Sequence, residues 1–208
     1  MKSAVVFGAR QQYGFELCVK LLDVGCYVYA IDHENWQTDV CEERWMQIGR
    51  NAHVELIILN HKLSNKQPVF LEKIQYYMVP VIDYSNFQYD TAHKQMLQML
   101  ELYYKADNSS QAQFLFLHDL ASGIDQSIFH QKLDSILDNM RQSSNKKLME
   151  YFLPNMINSN PQAAYLLHKN EEKEMQKIDF NLLTDFSDVV MNHLEQMKIF
   201  QDNDHKNG

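Results

Sequence analysis

Six glycines and four prolines in 208 residues are too few and too scattered to build a flexible linker, so nothing divides the chain and one domain is the expectation at this length. Cysteine is scarce too. Cys18, Cys26 and Cys41 are odd in number, lack Cys-x-x-Cys spacing and lie in or near apolar runs. This excludes a disulfide framework and suits reduced core thiols in a cytoplasmic protein. Basic charge is in deficit: 19 Lys and Arg stand against 27 Asp and Glu, a formal net charge of -8, which excludes a nucleic-acid partner held through its phosphates. No apolar run approaches membrane-spanning length, so no membrane partner is expected. Residues 1–9 already read as the first strand, leaving no room for a signal peptide. The nine histidines show neither His-x-x-x-His nor His-Glu-x-x-His spacing, and no Lys-Ser or Lys-Thr follows Gly14. A structural zinc site therefore has little support, no metal is expected, and a Walker phosphate loop is excluded.

What is present concentrates in Ala4 to Asp32, AVVFGARQQYGFELCVKLLDVGCYVYAID. An apolar run ends at Phe7, a turn follows at Gly8, a helix-period segment runs from Gly14, and a second apolar run closes on Asp32. This is the order of a β-α-β crossover. Such a turn leaves backbone N–H groups at a helix N-terminus, where the helix dipole favours a phosphate, and an acidic residue ending the second strand is placed to bond ribose hydroxyls.

Further along, His33 to Asn51 is roughly helical, and Val54 to Asn60 is a continuous apolar run that fits a buried parallel strand. Pro68 to Tyr77 reads as a helix with proline in its first turn, and Val79 to Ile82 as an edge or bend because Pro80 interrupts it. Met96, Met99, Leu100 and Tyr103 mark an amphipathic helix over 90–105. Phe114 to Leu117 is the next strand, and His118 and Asp119 at its carboxyl end are placed at a ligand crevice. Phe129, Leu133, Ile136, Leu137 and Met140 give one face of a helix over 127–140. Tyr151 to Pro154 fits a remnant of a sixth strand, a helix is expected after Pro161, and Glu171 to Lys177 reads as a solvated helix face. A terminal amphipathic helix is expected over 186–200, followed by a frayed tail, 201–208. The expectation is an α/β protein with a Rossmann-like, doubly wound parallel sheet and helices on both faces. It forms a single domain over residues 1–200, with its nucleotide-binding half at 1–62.

The amino-terminal stretch resembles the short-chain dehydrogenase/reductase family, whose opening motif is a glycine, three residues, a glycine, one residue and a third glycine. Gly8 and Gly14 match the outer two, Gln12 replaces the middle one, and Gly25 and Asp32 fall where the family places a glycine and an acidic residue. The resemblance implies a nicotinamide dinucleotide bound near Gly8, Arg10, Gln12, Gly14, Asp32, Asn60 and His118. Asn60 corresponds to the start of the family's Asn-Asn-Ala-Gly sequence, otherwise absent here. Asp32 favours NAD, since its carboxylate repels a ribose 2′-phosphate. Arg10 pulls toward NADP, because a guanidinium in the turn meets that phosphate, and the balance favours NAD.

The family's catalytic serine aligns with His118 or Asp119, with Ser122 a few residues late. Its tyrosine and lysine align with Ile128 and Lys132. An isoleucine neither gives nor takes the proton that carbonyl reduction needs. The expectation is therefore a degenerate family member that keeps the fold and a dinucleotide but works in regulation or partner binding. The alternative is an active NAD(P)-dependent oxidoreductase acting on a small carbonyl compound. In that case Tyr165 donates the proton, Lys169 lowers its pKa and Ser122 or His118 polarises the carbonyl. A sensor of another nucleotide is the third reading, and the family's habit of pairing through its two long helices implies a homo-oligomer.

Overall fold

The first strand, β1 (Ser3–Phe7), is buried throughout, and its side chains alternate between two cores. Ala4 and Val6 join one, Val5 and Phe7 the other, as a period of two demands of a strand covered on both faces. In the computed structural model the described residues are 2–60, 73–83, 90–106, 112–119, 128–142, 147–153, 164–168 and 176–178. After β1 come α1 (Gln12–Asp23), β2 (Tyr27–His33), a short 3-10 turn (Glu34–Trp36), α2 (Asp39–Ile48) and β3 (Val54–Leu59). They are followed by β4 (Tyr76–Val79), a second 3-10 turn (Val81–Asp83), α3 (Thr91–Ala106), β5 (Gln113–Asp119) and α4 (Ile128–Gln142). Last are β6 (Lys147–Leu153), β7 (Ala164–His168) and β8 (Gln176–Ile178).

The sheet order is β3-β2-β1-β4-β5-β6-β7-β8. Every pairing from β3 to β6 is parallel, while β7 and β8 add on antiparallel. One core lies under α1 and is built from Tyr13, Phe15, Leu17, Cys18 and Leu21 against Val28, Met78, Leu115 and Tyr151. The other lies under α3 and α4, where Met96, Leu100, Tyr103, Leu133 and Leu137 meet Tyr77, Phe114 and Phe116. Tyr77 and Phe114, partners in the β4–β5 register, stack with centroids 4.5 Å apart. Each such side chain, taken fully out of water, contributes about 1.5–3 kcal/mol. Helices on both faces of a six-strand parallel array make this the expected doubly wound fold.

Four local expectations are corrected. Tyr76 and Tyr77 belong to a strand and not to a helix begun at Pro68, which itself lies outside the described residues. That strand is central, flanked by β1 and β5, because Pro80 falls just past its end and removes no ladder bond. The segment after Pro161 contains β7 and not a helix, and Gln176–Ile178 is a strand where the charge run predicts a helix face. Pairing of β7 against β6, and of β8 against β7, overrides the local pattern there. β2 and β3 are joined by the 3-10 turn and the 10-residue α2 alone. The proposed helix over 186–200 and the tail lie outside the described residues.

Strand order reverses at β1, which has β2 on one side and β4 on the other. In open α/β sheets the ligand crevice lies beyond the carboxyl ends of the strands at such a switch point. Two segments meet there: Gly8–Gln11, leading from β1 into α1, and Pro80–Asp83, leaving β4.

Candidate functional site

The turn after β1 is shaped by two glycines. Gly8 has φ +60°, in the left-handed region that a side chain resists. A Cβ on Gly14 would run into the Gly8 carbonyl. The outer glycines of the motif therefore let the first turn of α1 press onto the turn that precedes it. Gln12, in place of the middle glycine, is the first residue of α1 and is exposed.

Gln11 is a poor helix cap, and its side chain makes no capping bond. It reaches instead to the Trp36 carbonyl, 3.3 Å away, and toward Cys41 Sγ at 3.5 Å. The cap is supplied from the far side of the switch point. Asp83 Oδ1 accepts from the Tyr13 N–H at 3.0 Å and Oδ2 from the Gly14 N–H at 2.8 Å. These are the second and third N–H groups of the helix, and a carboxylate there also meets the positive end of the helix dipole. Burial pushes the Asp83 carboxyl up to about 7, against the pull of those two bonds and of Arg44; the charge of Asp32 adds to the rise.

Asp32, at the end of β2, is fully buried and already partnered. Its Oδ2 accepts from Arg10 Nε at 2.9 Å and the Arg10 N–H at 3.3 Å, and its Oδ1 accepts from the His33 N–H at 2.8 Å. Burial drives its carboxyl pKa up, opposed by the Arg10 guanidinium and these hydrogen bonds. Arg10, 1 % exposed, also gives Nη1 to Glu42 Oε1 at 2.6 Å, while Arg44 Nη1 donates to the Arg10 carbonyl at 3.2 Å. Its remaining nitrogen, Nη2, is buried without an acceptor among the described residues.

A second polar cluster sits where β5 and β6 run beneath α4. His118 Nε2 is 3.5 Å from Glu150 Oε1. Arg141, in the last turn of α4, grips the same carboxylate through Nη2 and Nε at 2.6 and 2.9 Å. Burial pushes the Glu150 carboxyl up, but His118 and the Arg141 fork outweigh it and hold it at about 2. Near the same edge of the sheet, rings run from His33 through Trp36 and His93 to Phe129, with successive centroids 5.9, 5.3 and 5.0 Å apart. His33 Nδ1 accepts the Asn35 N–H at 3.0 Å and its Nε2 lies 2.8 Å from Gln95 Oε1, which fits a neutral ring protonated on Nε2. Among the described residues no group of His, Cys, Asp or Glu is arranged to hold a metal ion.

No protein-family model matches the chain, and no curated protein matches its sequence. Solved structures do match. A LigD apo structure from Sphingobium sp. strain SYK-6 is 11% identical with a TM-score of 0.57, covering 94% of this chain and 86% of that one. A short-chain dehydrogenase/reductase from Vibrio parahaemolyticus is 9% identical with a TM-score of 0.55, covering 91% and 89%. One from Burkholderia phymatum, solved in complex with NAD, is 10% identical with a TM-score of 0.51; the match covers 74% of this chain and 65% of that protein's length.

The fold is that of the short-chain dehydrogenase/reductases.

Within that fold the expected cofactor-facing residues fall into two sets. Gly8, Arg10, Gln12, Gly14 and Asp32 come together at the switch point. Asn60 stands apart, just beyond β3, which is two strands from β1 at the edge of the sheet; its carbonyl is 3.5 Å from Gln95 Nε2. His118, next to last in β5, lies beside Glu150. Of the residues proposed for catalysis in a short-chain dehydrogenase/reductase reading, Ser122 and Lys169 lie outside the described residues, and Tyr165 is on β7 opposite Phe152. Sequence reasoning misses Asp83, Arg44 and Glu42. Asp83 follows an apolar run after a proline, and its two partners are 70 and 69 residues away; no local pattern carries that pairing.

Proposed function

We propose that this protein keeps the crevice of a short-chain dehydrogenase/reductase but performs no hydride transfer, and that it works in regulation or partner binding. The observation that supports this most directly is the start of α4. Where the family resemblance places a proton-donating tyrosine, Ile128 stands 57% exposed on the first turn, with Lys132 four residues on. Carbonyl reduction needs an O–H or N–H placed at the nascent alkoxide, and a hydrocarbon provides neither. The crevice itself suits a nicotinamide dinucleotide, since the Burkholderia phymatum relative in fold carries NAD. We assign Gly8, Arg10, Gln12, Gly14 and Asp32 to its near side, and Asn60 and His118 to its margins. We favour NAD over NADP because an acidic residue near the end of β2, Asp32, would repel a ribose 2′-phosphate. The three cysteines are buried, in keeping with a cytoplasmic location.

Titration with NADH and NADPH, followed by nicotinamide fluorescence and melting temperature, tests the crevice; a ligand at a hundredfold its dissociation constant adds about 2.7 kcal/mol. A screen of small carbonyl compounds with the bound cofactor tests the chemistry. The expected result is no turnover above background, unchanged by Tyr165→Phe. Turnover that disappears in Tyr165→Phe would establish the oxidoreductase reading instead.

A further inference from the structure

At the switch point the protein presents an anion site that its own chain already fills. The Tyr13 and Gly14 N–H groups each have one hydrogen to give, and both are given to Asp83. We propose that Asp83 is an intramolecular gate: its carboxylate stands where a ligand phosphate would sit, and a pyrophosphate-bearing ligand enters the crevice only when that carboxylate withdraws. The proposal rests on reading the crevice as a dinucleotide site.

Three features distinguish this from an ordinary helix cap. An ordinary cap comes from the residue just before the helix, yet Gln11 makes no such bond. The carboxylate arrives instead from the turn Val81–Asp83, beyond the carboxyl end of β4, so it spans the entrance from one side of the switch point to the other. Secondly, charge adds to occlusion. Asp83 sets a carboxylate directly on the two N–H groups that a polyanion needs. The cations nearby are engaged: Arg10 with Asp32 and Glu42, and Arg44 with the Arg10 carbonyl. Thirdly, a donor is left over. Arg10 Nη2, buried two residues before α1, has no acceptor among the described residues, and a buried donor left without an acceptor is destabilising. A ligand phosphate offers acceptor oxygens of the kind that this nitrogen lacks.

The test measures inorganic pyrophosphate and NADH by isothermal titration calorimetry, at constant ionic strength, against the wild-type protein, Asp83→Asn and Asp83→Ala. Amide NMR shifts of Tyr13 and Gly14 locate the ligand. Asp83→Asn keeps an acceptor at the helix and guards against loss of folding in the alanine variant, with circular dichroism as the check. Asp23→Asn, at the other end of α1, controls for the loss of one negative charge. The expected result is binding at least tenfold tighter in both Asp83 variants than in wild type or Asp23→Asn, with the two amides shifting on addition of pyrophosphate. Equal affinities in all four proteins would overturn the gate and leave the crevice reading standing. A gain in Asp23→Asn as large as in Asp83→Asn, or tighter binding that leaves the Tyr13 and Gly14 amides unmoved, would also overturn it. Absence of binding by any of the four would overturn the crevice reading and the gate together.

Discussion

Arg10 and Asp32 form a pair that is nearly inaccessible to water from either side, with side-chain exposures of 2% and 0%. Desolvation offsets much of what two such charges gain from each other, but removing one leaves the other buried and unpaired. Arg10→Ala is therefore expected to lower stability by about 3–5 kcal/mol in urea denaturation. Asp32→Ala should cost a similar amount, and the double variant less than the sum of the two. Glu42, whose side chain is 55% exposed, ends the same chain of charges in water, and Glu42→Gln should cost under about 1 kcal/mol. Asp83 leads to a prediction of the opposite sign to the common carboxylate case. Its carboxyl is raised from 3.8 to about 7, so the folded protein holds this proton more tightly than the unfolded chain does. The contribution is complete below pH 4 and flat above 7; in between, stability falls by about 1.4 kcal/mol for each step of one in pH. Subtracting the pH–stability curve of Asp83→Asn from that of wild type should isolate a decline between pH 4 and 7.

The elements differ in how plainly they stand in the sequence. β1, β2 and β5 are built on apolar runs and α1, α3 and α4 repeat their apolar residues at helical spacing, so each is legible from its own residues; β3 is legible as a strand, but Glu55 interrupts its run and it is the half-buried edge of the sheet, not the buried strand expected. β4 is not, because it is only four residues long and Pro80 follows it; what makes it a central strand is the pair of neighbours it finds in space. β7 is hidden for a similar reason, since a strand added to an existing sheet takes its conformation from its partner. The site is half legible. Gly8, Gly14, Arg10 and Asp32 do meet at the crevice, but the last two, which in sequence seem to compete for a ribose, bond each other. Gly14 also shows a limit of propensity. Alanine in a helix is ordinarily worth about 1 kcal/mol over glycine, yet here its methyl would meet the Gly8 carbonyl. Gly14→Ala is expected to destabilise, by about 1–3 kcal/mol, measured by thermal unfolding; a rise in melting temperature would mean that the turn and helix are not pressed together.

At the scale of the whole molecule, the arrangement is a fold shared with oxidoreductases around a crevice furnished from its own side chains. The link from residue 83 back to residues 13 and 14 has a consequence for how the polypeptide acquires this shape. Helices that carry their own start signal nucleate within microseconds, whereas the opening turn of α1 borrows its signal across a loop of some seventy residues, whose closure carries an entropic cost. On a ribosome, that turn stays frayed until β4 has emerged and docked beside β1. In refolding experiments Asp83→Asn should therefore alter the unfolding rate far more than the folding rate, a φ-value near 0 at the amino end of the first helix.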